Sequence, residues 1–194
     1  MHTFANTVQK AAATALIWSA LAGALFPAAV QAQYYATPLQ PHIDEYTVVT
    51  RLVTAQQLKE ALVKADAYLA DKPKDPQMRF IKGVVLTEMG QTADAMSLFT
   101  TLTQDYPELP EPYNNLAVLY AAQNQFEQAR VSLEMAIRTN PSYATAHENL
   151  GDVYIQLASQ SYTKAMKLEP NKTSVQPKLA LIGTLFSAKP KGDK

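Results

Sequence analysis

The chain has 194 residues, with 17 basic and 17 acidic side chains and no cysteine. The balanced charge gives no electrostatic reason to expect nucleic acid or an anionic lipid surface as a partner. Without cysteine the chain forms no disulfide and carries no lipid-modified cysteine, so packing alone must stabilise the fold.

Residues 1–32 have the composition of an export signal peptide. Lys10 is their only charged side chain, the stretch from Ala11 to Ala29 is apolar, and Val30-Gln31-Ala32 supplies small residues for cleavage. We expect cleavage after Ala32 and export, to the bacterial periplasm or by a eukaryotic secretory route. The alternative is an uncleaved segment of about 20 residues that anchors the chain in a membrane.

The rest of the chain repeats at a constant interval. Pro73, Pro107 and Pro141 are evenly spaced. The same step relates Gly83, Ala117 and Gly151, Ala95 and Ala129, Tyr120 and Tyr154, and Pro76 and Pro110. A period of about 34 residues is typical of a two-helix repeat whose loop ends in proline.

The period divides the chain into units. Residues 33–42 lack helical periodicity and are predicted to be an extended leader. A repeat domain is predicted over residues 43–188, and the charged residues 189–194 form a tail. The domain comprises units over 43–75, 76–109 and 110–143, a truncated unit over 144–172 and a capping helix over 174–187.

The fourth unit is five residues short, because its closing proline is Pro170, whereas the period counted from Pro141 calls for position 175. Aligning Ala158, Tyr162 and Ala165 with the second helices of the earlier units places the loss at the turn between the helices. Apolar residues keep a helical step through the region. One long helix over about 144–168 is therefore expected, with a hairpin as the alternative.

The third unit resembles the tetratricopeptide repeat pattern almost point for point. The matching residues are Tyr113, Leu116, Ala117, Tyr120, Ala129, Leu133, Ala136 and Pro141. The resemblance covers roughly residues 43–172 and is strongest over 76–142. It implies an all-α fold, a right-handed superhelical solenoid of helical hairpins whose first helices line a concave groove for extended peptides or partner helices.

The resemblance also implies which side chains face the groove. The candidate binding residues are Phe80, Ile81, Val84, Asn114, Asn115, Glu148, Asn149 and Asp152. Asn115 and Asn149 lie one period apart, and a two-rung ladder of amides is one hypothesis for holding a peptide backbone. The alternative is that they are ordinary helix-surface asparagines. The three apolar residues are either a contact site or part of the core.

No motif supports catalysis. The histidines lack metal-ligand spacing, and the chain has neither a glycine-rich phosphate loop nor a Gly-x-Ser-x-Gly nucleophile motif. We therefore expect a non-enzymatic adaptor, without cofactor or metal, that binds a protein or peptide of the cell envelope. The alternative is a structural subunit of an envelope complex that contacts its partners through its ends and convex face. The sequence names neither the partner nor the oligomeric state.

Overall fold

The computed structural model describes residues 44–187, and within that range the chain is all-α, with eight helices and no strand. The predicted signal peptide, leader and charged tail lie outside the described residues. The helices are α1 (Glu45–Thr54), α2 (Leu58–Asp71), α3 (Pro76–Glu88), α4 (Thr92–Asp105), α5 (Pro110–Ala122), α6 (Phe126–Thr139), α7 (Ala144–Leu168) and α8 (Gln176–Ser187). The first six form three hairpins, and each helix packs against the next along the chain.

The turn inside each hairpin has the same backbone geometry. Its central residue, Gln56, Gly90 or Asn124, has a left-handed φ of 59°, 73° or 60°. The next residue is a glutamine in all three turns, and its N–H donates to a carbonyl five residues earlier, at 2.8–2.9 Å. This is a common way of satisfying the last carbonyls of a helix. Gly90 and Asn124 are residue types that favour a left-handed φ, so the sequence predicts the geometry of these two turns. Gln56 adopts the same geometry without such a signal.

The hydrophobic core lies between the first and second helices of the hairpins. In the second hairpin, a Cβ added to Gly83 would lie 2.5 Å from Cε1 of Phe99, which is fully buried. In the third hairpin, Ala117 and Leu133 occupy the equivalent positions and are also buried. A small residue on the first helix therefore faces a large one on the second, and this match sets how closely the helices approach.

A polar cluster ties the first hairpin to the second. The hydroxyl of Tyr46 donates to Oδ2 of Asp75 at 2.7 Å and lies 2.7 Å from the hydroxyl of Tyr68. These bonds raise the pKa of Tyr46 above its ordinary value. Burial alone would raise the pKa of Asp75, but bonds from the N–H of Met78 and from both tyrosines lower it overall. The ionised carboxylate thus also caps the start of α3.

The fourth unit is a single helix of 25 residues, as its missing turn predicts. The loop that follows repeats the hydrogen bonds of the earlier loops, with the N–H of Glu169 donating to Ala165 and that of Lys172 to Glu169. Val175 is then buried, and Nζ of Lys178 lies 5.2 Å from the centre of the Tyr162 ring. The last helix therefore packs against the second half of α7.

The match between Gly83 and Phe99 gives a direct test. Gly83→Ala should lower the free energy of unfolding by about 1–3 kcal/mol, because the added methyl overlaps the completely buried ring of Phe99. Ala117→Leu should have a similar effect at the equivalent position. Chemical denaturation of each variant measures it.

The control is Gly90→Asn, because asparagine already occupies the equivalent left-handed position at Asn124 and nothing lies within 4 Å of an added Cβ. If Gly83→Ala were no more destabilising than this control, the described packing of α3 on α4 would be incorrect.

Candidate functional site

The apolar candidates lie at the edge of the core. The ring of Phe80 packs against that of Phe99, with centroids 5.7 Å apart, and Val84 contacts the same cluster. Ile81 packs against the cluster formed by the first hairpin and α3. All three are half-buried. Their contacts account for their apolar character without a ligand.

The asparagines form a different pair from the ladder considered in the sequence analysis. Asn114 on α5 is buried, with 3% of its surface exposed, and its Oδ1 accepts a hydrogen bond of 2.8 Å from Nδ2 of Asn149 on α7. Asn115 is half-buried, and its Nδ2 donates to the backbone carbonyl of Glu111 in its own helix. Asn115 and Asn149 occupy equivalent positions one period apart. The side chain that Asn149 contacts on the neighbouring helix, however, is that of Asn114.

The structure places Asn149 at the wall of a groove between α5 and α7. The groove has a volume of about 380 Å³. Its lining residues are Ala117, Val118, Ala121, Asn124, Phe126, Leu133, Asn149, Asp152, Val153 and Gln156. We call this the α5/α7 groove. Of the sequence candidates, it brings together Asn149 and Asp152.

The α5/α7 groove also contains residues that the sequence analysis did not select. Phe126 begins α6 and Asn124 is the left-handed residue of the preceding turn, so the turn forms one end of the groove. Both residues belong to the turn and second helix of the hairpin, whereas the family resemblance implies groove-facing residues on first helices alone. One signal in the sequence could have identified them: the turn directly follows α5, so its residues must lie close to the end of that helix.

The polar side chains of the groove are acidic or amide. Asp152 and Glu148 are exposed, and neither side chain forms an ion pair or hydrogen bond within residues 44–187. The basic residues Arg79 and Lys82, by contrast, already pair with Asp105 and Asp66. The α7 side of the groove thus presents unpaired negative charge.

Within the described range, neither a metal-binding group nor a membrane-spanning helix is found. No group of three or more histidine, aspartate or glutamate side chains in residues 44–187 is arranged to hold a metal ion. His147 is exposed, and its Nε2 lies 2.9 Å from the carbonyl oxygen of Pro141. None of the eight helices is long and apolar enough to cross a membrane.

Comparisons with known proteins agree with this fold. A family model described as tetratricopeptide repeat matches residues 86–150. The first tetratricopeptide repeat domain of human RPAP3 superposes with a TM-score of 0.56 at 15% identity, over 60% of this chain and 92% of that domain. A tetratricopeptide repeat protein from Parabacteroides merdae gives 0.56 at 17% identity, over 82% and 64%. These two likenesses show the solenoid fold alone.

Two further similarities have higher identity. YrrB, described as a tetratricopeptide repeat protein with an unusual peptide-binding site, has a TM-score of 0.50 at 29% identity, over 54% of each chain. The chloroplast protein PYG7 of Arabidopsis thaliana, which contains tetratricopeptide repeats, is 30% identical over 79 residues. That match covers 38% of this chain and 26% of PYG7.

Asn149 bonds to Asn114 on another helix, whereas Asn115 bonds within its own helix. Replacing Asn149 and replacing Asn115 should therefore have unequal effects on stability. Asn149→Ala leaves the buried Oδ1 of Asn114 without its donor and should cost about 1–3 kcal/mol of unfolding free energy. Asn115→Ala removes only a bond to a carbonyl of its own helix and should cost well under about 1 kcal/mol. Urea denaturation of both variants provides the comparison, and equal losses would contradict the described pairing.

Proposed function

We propose that this chain, for which the family model and the structural neighbours support a place in the tetratricopeptide repeat family, binds an extended segment of a protein partner in the α5/α7 groove. The repeat fold suggests a protein-binding adaptor, and proteins of this kind are generally non-enzymatic scaffolds. The peptide-binding site named for YrrB gives the proposal a precedent in a chain of similar sequence. The chain itself would supply no chemistry.

The observation that carries the proposal is the fixed orientation of the Asn149 amide. One N–H of Asn149 donates to buried Asn114, which holds the amide at the groove wall. Its oxygen and second N–H have no partner within residues 44–187. One acceptor and one donor side by side complement a peptide backbone, which offers the same two groups. Because the side chain is already held, binding costs less conformational entropy.

Electrostatics favours a particular class of peptide. Asp152 lines the groove on the same helix as Asn149, and Glu148 lies beside it. Neither carboxylate has a basic partner within the described range. A lysine or arginine close to the bound backbone would meet this charge, whereas an acidic peptide would be repelled. Val118 and Phe126 complete the site with apolar surface for a neighbouring side chain.

A library of immobilised random dodecapeptides tests the groove. We expect selected sequences to be enriched in lysine or arginine, and calorimetry to show that Asn149→Ala weakens binding about two- to twelve-fold. Asp152→Asn should weaken binding about two- to five-fold, because an exposed charge pair contributes little. Circular dichroism checks that each variant is folded at the temperature of the titration.

The matched control is Gln128→Ala, an exposed position on α6 outside the groove. It should bind the selected peptides as the parent does. Selected peptides that bound all three variants equally would place the binding surface elsewhere and favour a structural role in a complex.

The proposal extends to location. We infer that residues 1–32 direct export, that the partner is a protein of the cell envelope, and that the working form begins at Gln33. The support is the single charge, the apolar run and the small residues before position 33. Pro27, close to that site, would interrupt an apolar helix before it could span a membrane.

The intact mass of the protein recovered from the exported fraction tests the N-terminus. We expect the mass of residues 33–194, because a signal peptidase cleaves after small residues such as Ala32. A mass that retained residues 1–32 would instead indicate a membrane anchor.

A further inference from the structure

The exposed apolar side chains of the described range concentrate at its last two helices. Among residues 44–185, seven large apolar side chains are notably exposed, and four of them, Tyr154, Leu168, Leu181 and Leu185, belong to α7 and α8. Tyr120, the residue equivalent to Tyr154 one period earlier, packs against the core instead. Tyr154 is therefore exposed at a position that the preceding unit covers.

The missing turn explains why this surface is uncovered. In the third unit, Ala129, Leu133 and Ala136 on α6 are completely buried against α5 and α7. The aligned residues of the fourth unit, Ala158, Tyr162 and Ala165, are only half-buried. Because α7 runs straight on, its second half cannot fold back on its first half. The second half has α8 on one side but lacks the first-helix partner that the earlier units have.

The first half of α7 lacks the matching contact. Gly151 is equivalent to Gly83 and Ala117, the small residues that face Phe99 and Leu133. At Gly151, nothing lies within 4 Å of an added Cβ, and the residue is exposed. Glycine is unfavourable inside a helix and is usually kept there for close packing. By the pattern of the earlier units, the large residue that should face Gly151 is Tyr162.

The two incomplete surfaces lie on one side of α7. At about 100° per residue, Gly151, Tyr154, Ala158, Tyr162 and Ala165 form a continuous stripe along the helix. The midpoint between Gly151 and Tyr162 falls between Gln156 and Leu157, and the midpoint of α7 is Gln156. Gly151 and Tyr162, the small and large members of the pair, are thus placed symmetrically about the middle of one continuous helix, as a two-fold contact requires.

We propose that this stripe is the interface for a second copy of the chain. The two α7 helices pack antiparallel about a two-fold axis, so that residues 144–155 of each copy contact residues 156–168 of the other. Tyr162 of the second copy then lies over Gly151, as Phe99 lies over Gly83 within the second hairpin. Each copy thereby donates its second helix and α8 to complete the fourth unit of the other, which is an exchange of identical elements.

A second copy fits better than an unrelated protein because one chain carries both halves of the interface. An unrelated partner would need two different surfaces. One would have to resemble the second helix of a repeat and cover the first half of α7, and the other would have to resemble a first helix and cover the second half. The peptide groove would remain accessible in the dimer. Asn149 and Gln156 lie on the opposite side of α7 from the stripe, and Asp152 lies about a third of a turn from the centre of the stripe.

Sedimentation equilibrium of the full chain, in the processed form recovered from expression, tests the proposal. We expect a dimer at micromolar concentration. Gly151→Leu should raise the dimer dissociation constant about ten- to a hundred-fold, because its side chain would overlap Tyr162 of the second copy. Nothing near Gly151 in the same chain opposes the larger side chain, so the variant should unfold at no lower temperature when measured as a monomer.

A second variant restores the turn. Insertion of Ala-Gln-Asn-Gln-Phe, the sequence of residues 122–126, between Ile155 and Gln156 returns the fourth unit to the full period of the earlier units. The two halves should then pair within one chain, and the protein should become a folded monomer with unchanged helix content. Gln160→Leu is the control, because Gln160 is exposed and equivalent to outward-facing Val131; it should leave the dimer intact.

Three results would overturn the proposal. The first is a parent chain that is monomeric up to about 100 µM, a concentration at which a specific dimer of this kind should form. The second is a dimer that persists in both Gly151→Leu and the insertion variant. The third is a dimer weakened equally by Gln160→Leu. None of these results bears on the peptide groove, which is measured by calorimetry.

Discussion

The fit of a small residue on the first helix against a large one on the second is the constraint on which the structure depends. In the second and third hairpins the two helices come close enough to exclude water, because Gly83 faces Phe99 and Ala117 faces Leu133. Such close packing tolerates little change in side-chain volume. It also requires that the chain reverse within a few residues, which the left-handed turns at Gly90 and Asn124 achieve. The repeat period is therefore the combined length of two helices, a tight turn and a loop.

Much of the fold follows from the sequence because its signals are local. Pro76 and Pro110 begin α3 and α5, where the missing N–H of proline costs nothing. The five-residue deficit between Pro141 and Pro170 predicts the uninterrupted helix α7, whose bounds are Ala144–Leu168. The left-handed turn at Gln56 was not predictable in this way, since glutamine has no preference for that conformation. There the turn is closed by the same hydrogen bond as in the other hairpins, from the N–H of Gln57 to the carbonyl of Leu52.

The candidate site was harder to predict, because it depends on contacts between helices. The repeat period relates equivalent positions, such as Asn115 and Asn149, but neighbouring helices meet at an offset. The hydrogen bond consequently joins Asn149 to Asn114, and Asn115 bonds within its own helix. The apolar candidates could not be placed from the sequence for the same reason. The pattern of Phe80, Ile81 and Val84 fits a groove as well as a core, and only their contacts with Phe99 and the first hairpin distinguish these alternatives.

The short fourth unit links packing to assembly. Loss of the turn makes the second half of α7 continue the first half instead of folding back against it. Gly151 and Tyr162 are then 11 residues, or about three helical turns, apart, so they lie on the same side of one helix at similar distances from its centre. In the proposed dimer, loss of the turn thus converts a contact within a chain into a contact between chains. The groove beside Asn149 lies on the other face of the same helix, so peptide binding and self-association need not compete.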